Sequence, residues 1–97
     1  MPSPSVGVLV FELHIPEARS LKDKRHYVKG LKDRLRTRFN VSVAEIDDQE
    51  LLNRATLAAA CVSASRSYAE GLLDRVEADA AGFLGPLLAG VTREWLG

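Results

Sequence analysis

Among 97 residues there is one cysteine, one tryptophan and two tyrosines. A single thiol excludes a disulfide framework within the chain and any cysteine-built zinc cage. No apolar run approaches the ~20 residues that a membrane-spanning helix needs. Formal net charge is zero, so the whole chain is not a polycation. It lacks a phosphate-cradling Walker loop, a nucleophile elbow and a dinucleotide-binding glycine fingerprint. No assembled catalytic constellation replaces them, and a non-catalytic protein without cofactor or metal is expected. Residues 1–5 carry no basic group ahead of the apolar run that follows, which does not fit a secretory signal. They read as a flexible N-terminus preceding one domain over residues 6–97, in a reducing cytoplasm. The composition, 46% apolar and 27% charged, is that of an ordinary globular chain.

Zero net charge hides a strong division. Nine cations, Arg19, Lys22, Lys24, Arg25, Lys29, Lys32, Arg34, Arg36 and Arg38, fall between positions 19 and 38. Only Asp23 and Asp33 oppose them there, so this stretch holds a surplus of seven positive charges and the remainder an equal deficit. Such asymmetry points to a polyanionic partner or to pairing within the molecule.

Residues 6–15 are rich in β-branched and aromatic side chains until Pro16 removes a backbone donor, which predicts a first strand. Ser20 with Asp23 three positions on resembles a capping box, so a helix starts at Leu21. Leu21, Val28, Leu31, Leu35 and Phe39 then share one face within roughly 80°, and Asn40 is a plausible left-handed stop. A second strand covers 41–47, and an alanine-rich third strand covers 56–64. Ser67 and Glu70 form another box-like start. Ala69, Leu72, Leu73, Val76, Ala80 and Phe83 carry the helical period, giving a second helix over 67–81 that ends at Gly82, Gly85 and Pro86. Residues 87–96 form the last strand.

The order β-α-β-β-α-β is the split βαβ arrangement of ferredoxin-like domains. It predicts an α+β fold, with a four-stranded antiparallel sheet and two helices on one face. In strand one, Leu9, Phe11, Leu13 and Ile15 hold one parity while Val6, Val8 and Val10 hold the other. Both faces therefore call for burial, and a homodimer that covers the second face is expected.

Three segments, 14–16 (His-Ile-Pro), 20–25 (Ser-Leu-Lys-Asp-Lys-Arg) and 38–45 (Arg-Phe-Asn-Val-Ser-Val-Ala-Glu), resemble the small bacterial YlxP-like family of domains of unknown function. The likeness continues through Asp47, Gln49, Leu51, Arg54-Ala55 and the strand from Leu57 to Ser63, so it spans most of the chain. Leu52 stands where relatives often carry tryptophan, and Ala58 stands where glycine is expected. The resemblance implies a ferredoxin-like domain of about 95 residues. Genes of the family commonly neighbour those for translation initiation and ribosome maturation factors, which implies a role on RNA or the ribosome.

The first helix carries the strongest chemical signal. Lys22, Arg25, Lys29, Lys32 and Arg36 form one ridge beside the buried stripe, about 21 Å long at ~1.5 Å per residue. They are the candidate nucleic-acid-binding residues, with RNA or a ribosomal subunit as the partner, while Arg19, Arg34 and Arg38 widen the field. The competing expectation is that Glu70, Asp74, Glu77 and Asp79 of the second helix neutralise the ridge, or that it is a solvated face. An RNA-recognition aromatic motif is absent, and no exposed sheet aromatic is expected to stack bases, since Phe11 has the parity that lies beneath the helices and strand three carries no aromatic. Binding through the helix would therefore read backbone and shape more than sequence.

Other residues read more plainly. Lys24 points at the apolar face, and a lysine in the first turn is expected to lay its stem on the core and snorkel its ammonium outward. Pairing with buried Glu12 or Glu45 is the alternative. His14 and Glu12 share one sheet face and could begin a zinc site, but a third ligand is missing. An interface role suits His14 better. Cys61 is expected in the core. Glu45, Asp47, Asp48 and Glu50 read as a solvated strand end and turn, because the spacing of a calcium loop is absent. A dimer holding a small-molecule effector between subunits, near His14 or Glu45, is the alternative function. No glycine-rich phosphate cradle of the acylphosphatase type follows strand one.

Overall fold

The computed structural model describes residues 3–47 and 51–96. Its elements are β1 (Ser5–His14), α1 (Leu21–Arg38), β2 (Ser42–Asp47), β3 (Arg54–Ser63), α2 (Arg66–Leu84), a 3-10 turn over Gly85–Leu87, and β4 (Leu88–Leu96). All neighbouring strands pair antiparallel in the order β2-β3-β1-β4. β1 and β2 are therefore parallel with β3 between them, as are β3 and β4 with β1 between them. This is the ferredoxin-like α+β fold expected from the element order.

β1 alternates cleanly. Gly7, Leu9, Phe11 and Leu13 are buried, as are Cys61, Ala59, Leu57 and Ala55 opposite them on β3. The helices supply the other half of the core. From α1 come Val28, Leu31 and Leu35, and from α2 come Ala69, Leu72, Leu73, Val76, Ala80 and Leu84. Each large aliphatic side chain buried in this way contributes about 1.5–3 kcal/mol. Leu21 remains exposed and Phe39 half-buried, so the stripe of α1 is shorter than its period suggests.

Several boundaries differ from expectation. α1 ends where Phe39 turns extended (φ −135°), its N–H still bonded to the Leu35 carbonyl, and not at a left-handed Asn40. α2 is capped by Ser65, whose hydroxyl accepts from the Tyr68 N–H, while Glu70 pairs with Arg66 one turn earlier. The Ser67–Glu70 box does not form. α2 also runs three residues past its expected end, because Gly82 keeps a negative φ and a glycine inside a helix costs only about 1 kcal/mol. The chain breaks instead at Gly85, whose φ of +56° suits a residue without a side chain. That extra turn buries Leu84 in place of Phe83, which stays 46% exposed.

Two glycines respond oppositely to substitution. A Cβ at Gly7 would lie 2.6 Å from Leu73 Cδ1 and 2.8 Å from Trp95 Cζ3. Both neighbours are packed side chains, so Gly7→Ala should destabilise the fold by about 1–3 kcal/mol in urea unfolding. A Cβ at Gly30, inside α1, would make ordinary contact with Phe83 Cζ at 3.6 Å. Gly30→Ala should therefore stabilise by about 1 kcal/mol through helix propensity.

Candidate nucleic-acid interface

Ser20 starts α1 by accepting the Asp23 N–H, and the Asp23 carboxylate accepts the Arg19 N–H in return. This fixes the helix start and brings Lys22, Arg25, Lys29, Lys32 and Arg36 onto one flank. Lys22, Arg25 and Lys29 are exposed and Lys32 is half-exposed. No carboxylate of a described residue pairs with Lys22, Arg25 or Lys32. Lys29 pairs with Asp33 one turn on, in water, and this contact holds the Asp33 carboxyl below its ordinary range. Arg36 is partly committed, because its Nη2 donates to the Val43 carbonyl at 2.6 Å. That contact ties the far end of the ridge to β2, an edge strand of the sheet.

The opposite flank of α1 is where α2 neutralises it. Arg34 forks onto Asp79, with Nε to Oδ2 at 2.8 Å and Nη2 to Oδ1 at 3.1 Å. Arg38 adds Nη1 to Oδ1 at 3.3 Å. The hydrogen bond from Arg34 holds the Asp79 carboxyl below its ordinary value, against the opposing effect of burial, and the same bond raises Arg34. Arg34 and Arg38 are thus bound within the molecule and do not widen an open positive field. The other acids of α2 do not reach α1: Glu70 pairs with Arg66, while Asp74 and Glu77 pair with Arg93 of β4.

Lys24 overturns the snorkelling expectation. It is only 2% exposed, and its Nζ lies 3.3 Å from Glu45 Oε2. Glu45 shares the parity of buried Val43 on β2, so it projects beneath α1. Of the two alternative partners, Glu45 is the one that pairs, and the alternation of β2 is the signal that points to it. Asn53, which sequence reasoning passed over, ties the same end together. Its Nδ2 donates to the carbonyls of Ile15 and Ala18 at 2.9 and 3.0 Å, anchoring the loop from β1 to α1.

His14 and Glu12 lie on the outer sheet face, in register with Arg54 and Thr56. Together they line a hollow of about 190 Å³ beside the irregularity between β1 and β4. Cys61 is buried on the inner face. Among the described residues no three His, Cys, Asp or Glu side chains are placed to hold a metal ion. Asp48 and Glu50 lie outside the described residues. A second feature was missed: His26, Tyr27, Gly30, Phe83, Leu84 and Leu87 line a mainly apolar groove of about 320 Å³ between α1 and the end of α2. The exposed position of Phe83 depends on the last turn of α2, which the glycines obscured.

A family profile described as "Protein of unknown function (DUF503)" matches residues 6–84. The chain is 40% identical over 71 residues to a Bacillus subtilis (strain 168) protein called "Uncharacterized protein YlxP", covering 73% of this chain and 77% of that one. Among solved structures, At3g17210 from Arabidopsis thaliana superposes with a TM-score of 0.56 at 10% identity, over 95% of this chain and 93% of that one. A dimeric ferredoxin-like protein from an uncultured marine organism gives 0.51 at 8% identity, over 96% and 85%. At these identities the likeness to both structures is one of fold alone.

The ion pair between the helices should show in acid. The folded-state value of Asp79 lies below its ordinary 3.8, so the stabilisation is complete above that value and is lost as pH falls through the ordinary and then the depressed one. Asp79→Asn should therefore lower the urea midpoint at pH 7. The gap to the unmodified protein should narrow as pH drops below about 4; a gap independent of pH would contradict the pairing.

Proposed function

The chain belongs to the DUF503 family of proteins of unknown function, and from the geometry of α1 we propose that it is a cytoplasmic, non-catalytic accessory factor that docks on RNA, free or within a ribosomal subunit. The observation that carries this reading is the division of α1 into two flanks. Asp79 takes Arg34 and Arg38 on one side, and on the other Lys22, Arg25 and Lys32 have no carboxylate partner among the described residues. Lys29 joins them when a phosphate displaces Asp33, since an exposed helix pair of this kind is worth only about 0.3–0.5 kcal/mol. Arg36 keeps its bond to Val43 and offers its remaining donors.

A homodimer completes the proposal. The sheet face away from the helices carries Val6, Val8, Val10, Ala58 and Ala60, with Val62 67% exposed and Leu96 59% exposed, and Thr92 and Glu94 of β4 stand beside Val10 and Val8 at its rim. Three strands of nine or ten residues and one of six give a face of roughly 550 Å². Two such faces together bury about 1,100 Å², close to the lower bound for a specific interface. The face lies opposite α1, so both ridges of the dimer stay open. The hollow at Glu12, His14, Arg54 and Thr56 sits at the polar end of this face and supports a second reading, a dimer that holds a small effector there.

Three or four phosphate contacts on a single strand give a slope of log K against log salt of about −2 to −3. Fluorescence anisotropy across a salt series should show this slope, and Lys22→Glu/Arg25→Glu/Lys32→Glu should abolish binding while the urea midpoint stays close to that of the unmodified chain. Equal binding by the triple variant would refute the ridge as the contact. For the dimer, Val8→Asp should yield a folded monomer in sedimentation equilibrium, because a carboxylate there would be desolvated without a partner; a Val8→Asp protein that still dimerises would exclude this face.

A further inference from the structure

Phe83 and Tyr68, at opposite ends of α2, are the aromatic rings that this helix leaves in water, and only Phe83 lies beside α1. Its ring tip reaches α1 at Gly30, where an added Cβ would lie 3.6 Å from Cζ, so Phe83 and Gly30 together form the floor of the groove. His26 and Tyr27 form the wall above, their rings edge to face at 5.7 Å. Glycine in a helix interior costs about 1 kcal/mol relative to alanine, and here it leaves a slot lined by rings and aliphatic carbon.

The surroundings of the slot decide what fits it. On the surface of α1, His26 neighbours Lys22 one turn back and Lys29 one turn on, cations about 10 Å apart along the axis at 1.5 Å per residue. Arg34 stands over the Phe83 ring at 4.9 Å. Of the nearest acids, Asp79 is engaged by Arg34 and Arg38, and Asp33 is paired with Lys29 in an exposed contact that a phosphate on Lys29 displaces. Glu17, Asp23 and Lys22 line a neighbouring hollow that shares His26 and Tyr27 with the slot, and its two acids direct a polyanion along the ridge towards Lys29. An apolar slot rimmed by cations suits a flat π-system carried on a phosphate chain.

We propose that this groove takes an unpaired base of RNA, stacked against Phe83 and His26, while the adjoining phosphates lie on Lys22 and Lys29. The inference rests on the reading of α1 as an RNA-docking helix and adds a preference that charge alone does not give. A ridge of cations accepts duplex and single strand alike, whereas the slot accepts only a base free of its partner.

The test uses anisotropy with two labelled RNAs, a 12-nucleotide single strand and a 12-base-pair duplex. Phe83→Ala should weaken the single strand by about tenfold, the scale of losing one base stack, with duplex affinity and the salt slope unchanged. Phe83→Tyr should restore single-strand affinity. Gly30→Leu, which fills the slot from α1 and keeps Phe83, should reproduce the loss seen with Phe83→Ala, so the proposal does not depend on one variant folding. Unchanged single-strand affinity in both Phe83→Ala and Gly30→Leu, with binding still abolished in the triple charge reversal, would overturn stacking and leave the docking helix standing. Equal losses on both RNAs would also overturn it. An unmodified protein that binds neither RNA would remove the docking reading and this inference together.

Discussion

The rotation of α1 about its own axis is the constraint on which the surface chemistry depends. Two charge contacts set it. Arg34 grips Asp79 of α2 on one flank, and Lys24, buried beside the apolar stripe, reaches Glu45 of β2. The apolar contacts of Val28, Leu31 and Leu35 alone would allow some roll, because dispersion and burial are not directional. A forked guanidinium–carboxylate pair and an almost fully buried ammonium permit very little. With the helix pinned, Lys22, Arg25, Lys29 and Lys32 can face only outward. The Arg36 bond to the Val43 carbonyl adds a third tether and occupies an acceptor on an edge strand, where unpaired backbone groups invite unwanted strand addition.

The sheet separates two kinds of surface. Its inner face is filled by both helices, and its outer face is a strip of valine and alanine on β1 and β3, bordered by Thr92 and Glu94 of β4 and by a polar corner at Glu12, His14, Arg54 and Thr56. Apolar burial and cationic docking therefore fall on opposite sides of one small molecule. A chain of this length has little surface to spare, and separating the two roles by a sheet lets a dimer form without covering either ridge. Zero net charge serves the same end: the acids that balance α1 in the total are spread over β2, α2 and β4, and among the described residues only Glu45 and Asp79 make ion pairs across to α1, with Lys24 and with Arg34 and Arg38.

The fold was legible because its signals were local. Strand alternation, the Ser20 cap and the breaks at Pro16 and Gly85 all act over a few residues, and they placed β1, α1 and the element order. What escaped was decided by tertiary contact. Ser65 and Ser67 are both plausible caps, and the choice follows from which one meets the Tyr68 N–H. Phe83 and Leu84 both satisfy the helical period from Ala80, and only the arrival of the chain at Gly85 determines which turns inward. The Lys24–Glu45 pair joins residues 21 apart in the sequence, so no local pattern states it, although the parity of Glu45 with Val43 hints at it. The ridge itself was visible in the wheel. That α2 would claim Arg34 and Arg38 and leave the other flank alone depended on where a single carboxylate, Asp79, came to rest.

The central claim is that one flank of α1 is the surface that meets RNA. The most direct measurement is a backbone amide NMR titration of the isotope-labelled protein with a short single-stranded RNA at low salt, which reports every residue at once. Shifts confined to residues 22–36 and the facing end of α2, fading as salt is raised, are the expected result. Shifts concentrated on the outer sheet face or at His14 and Arg54, with α1 silent, would contradict it.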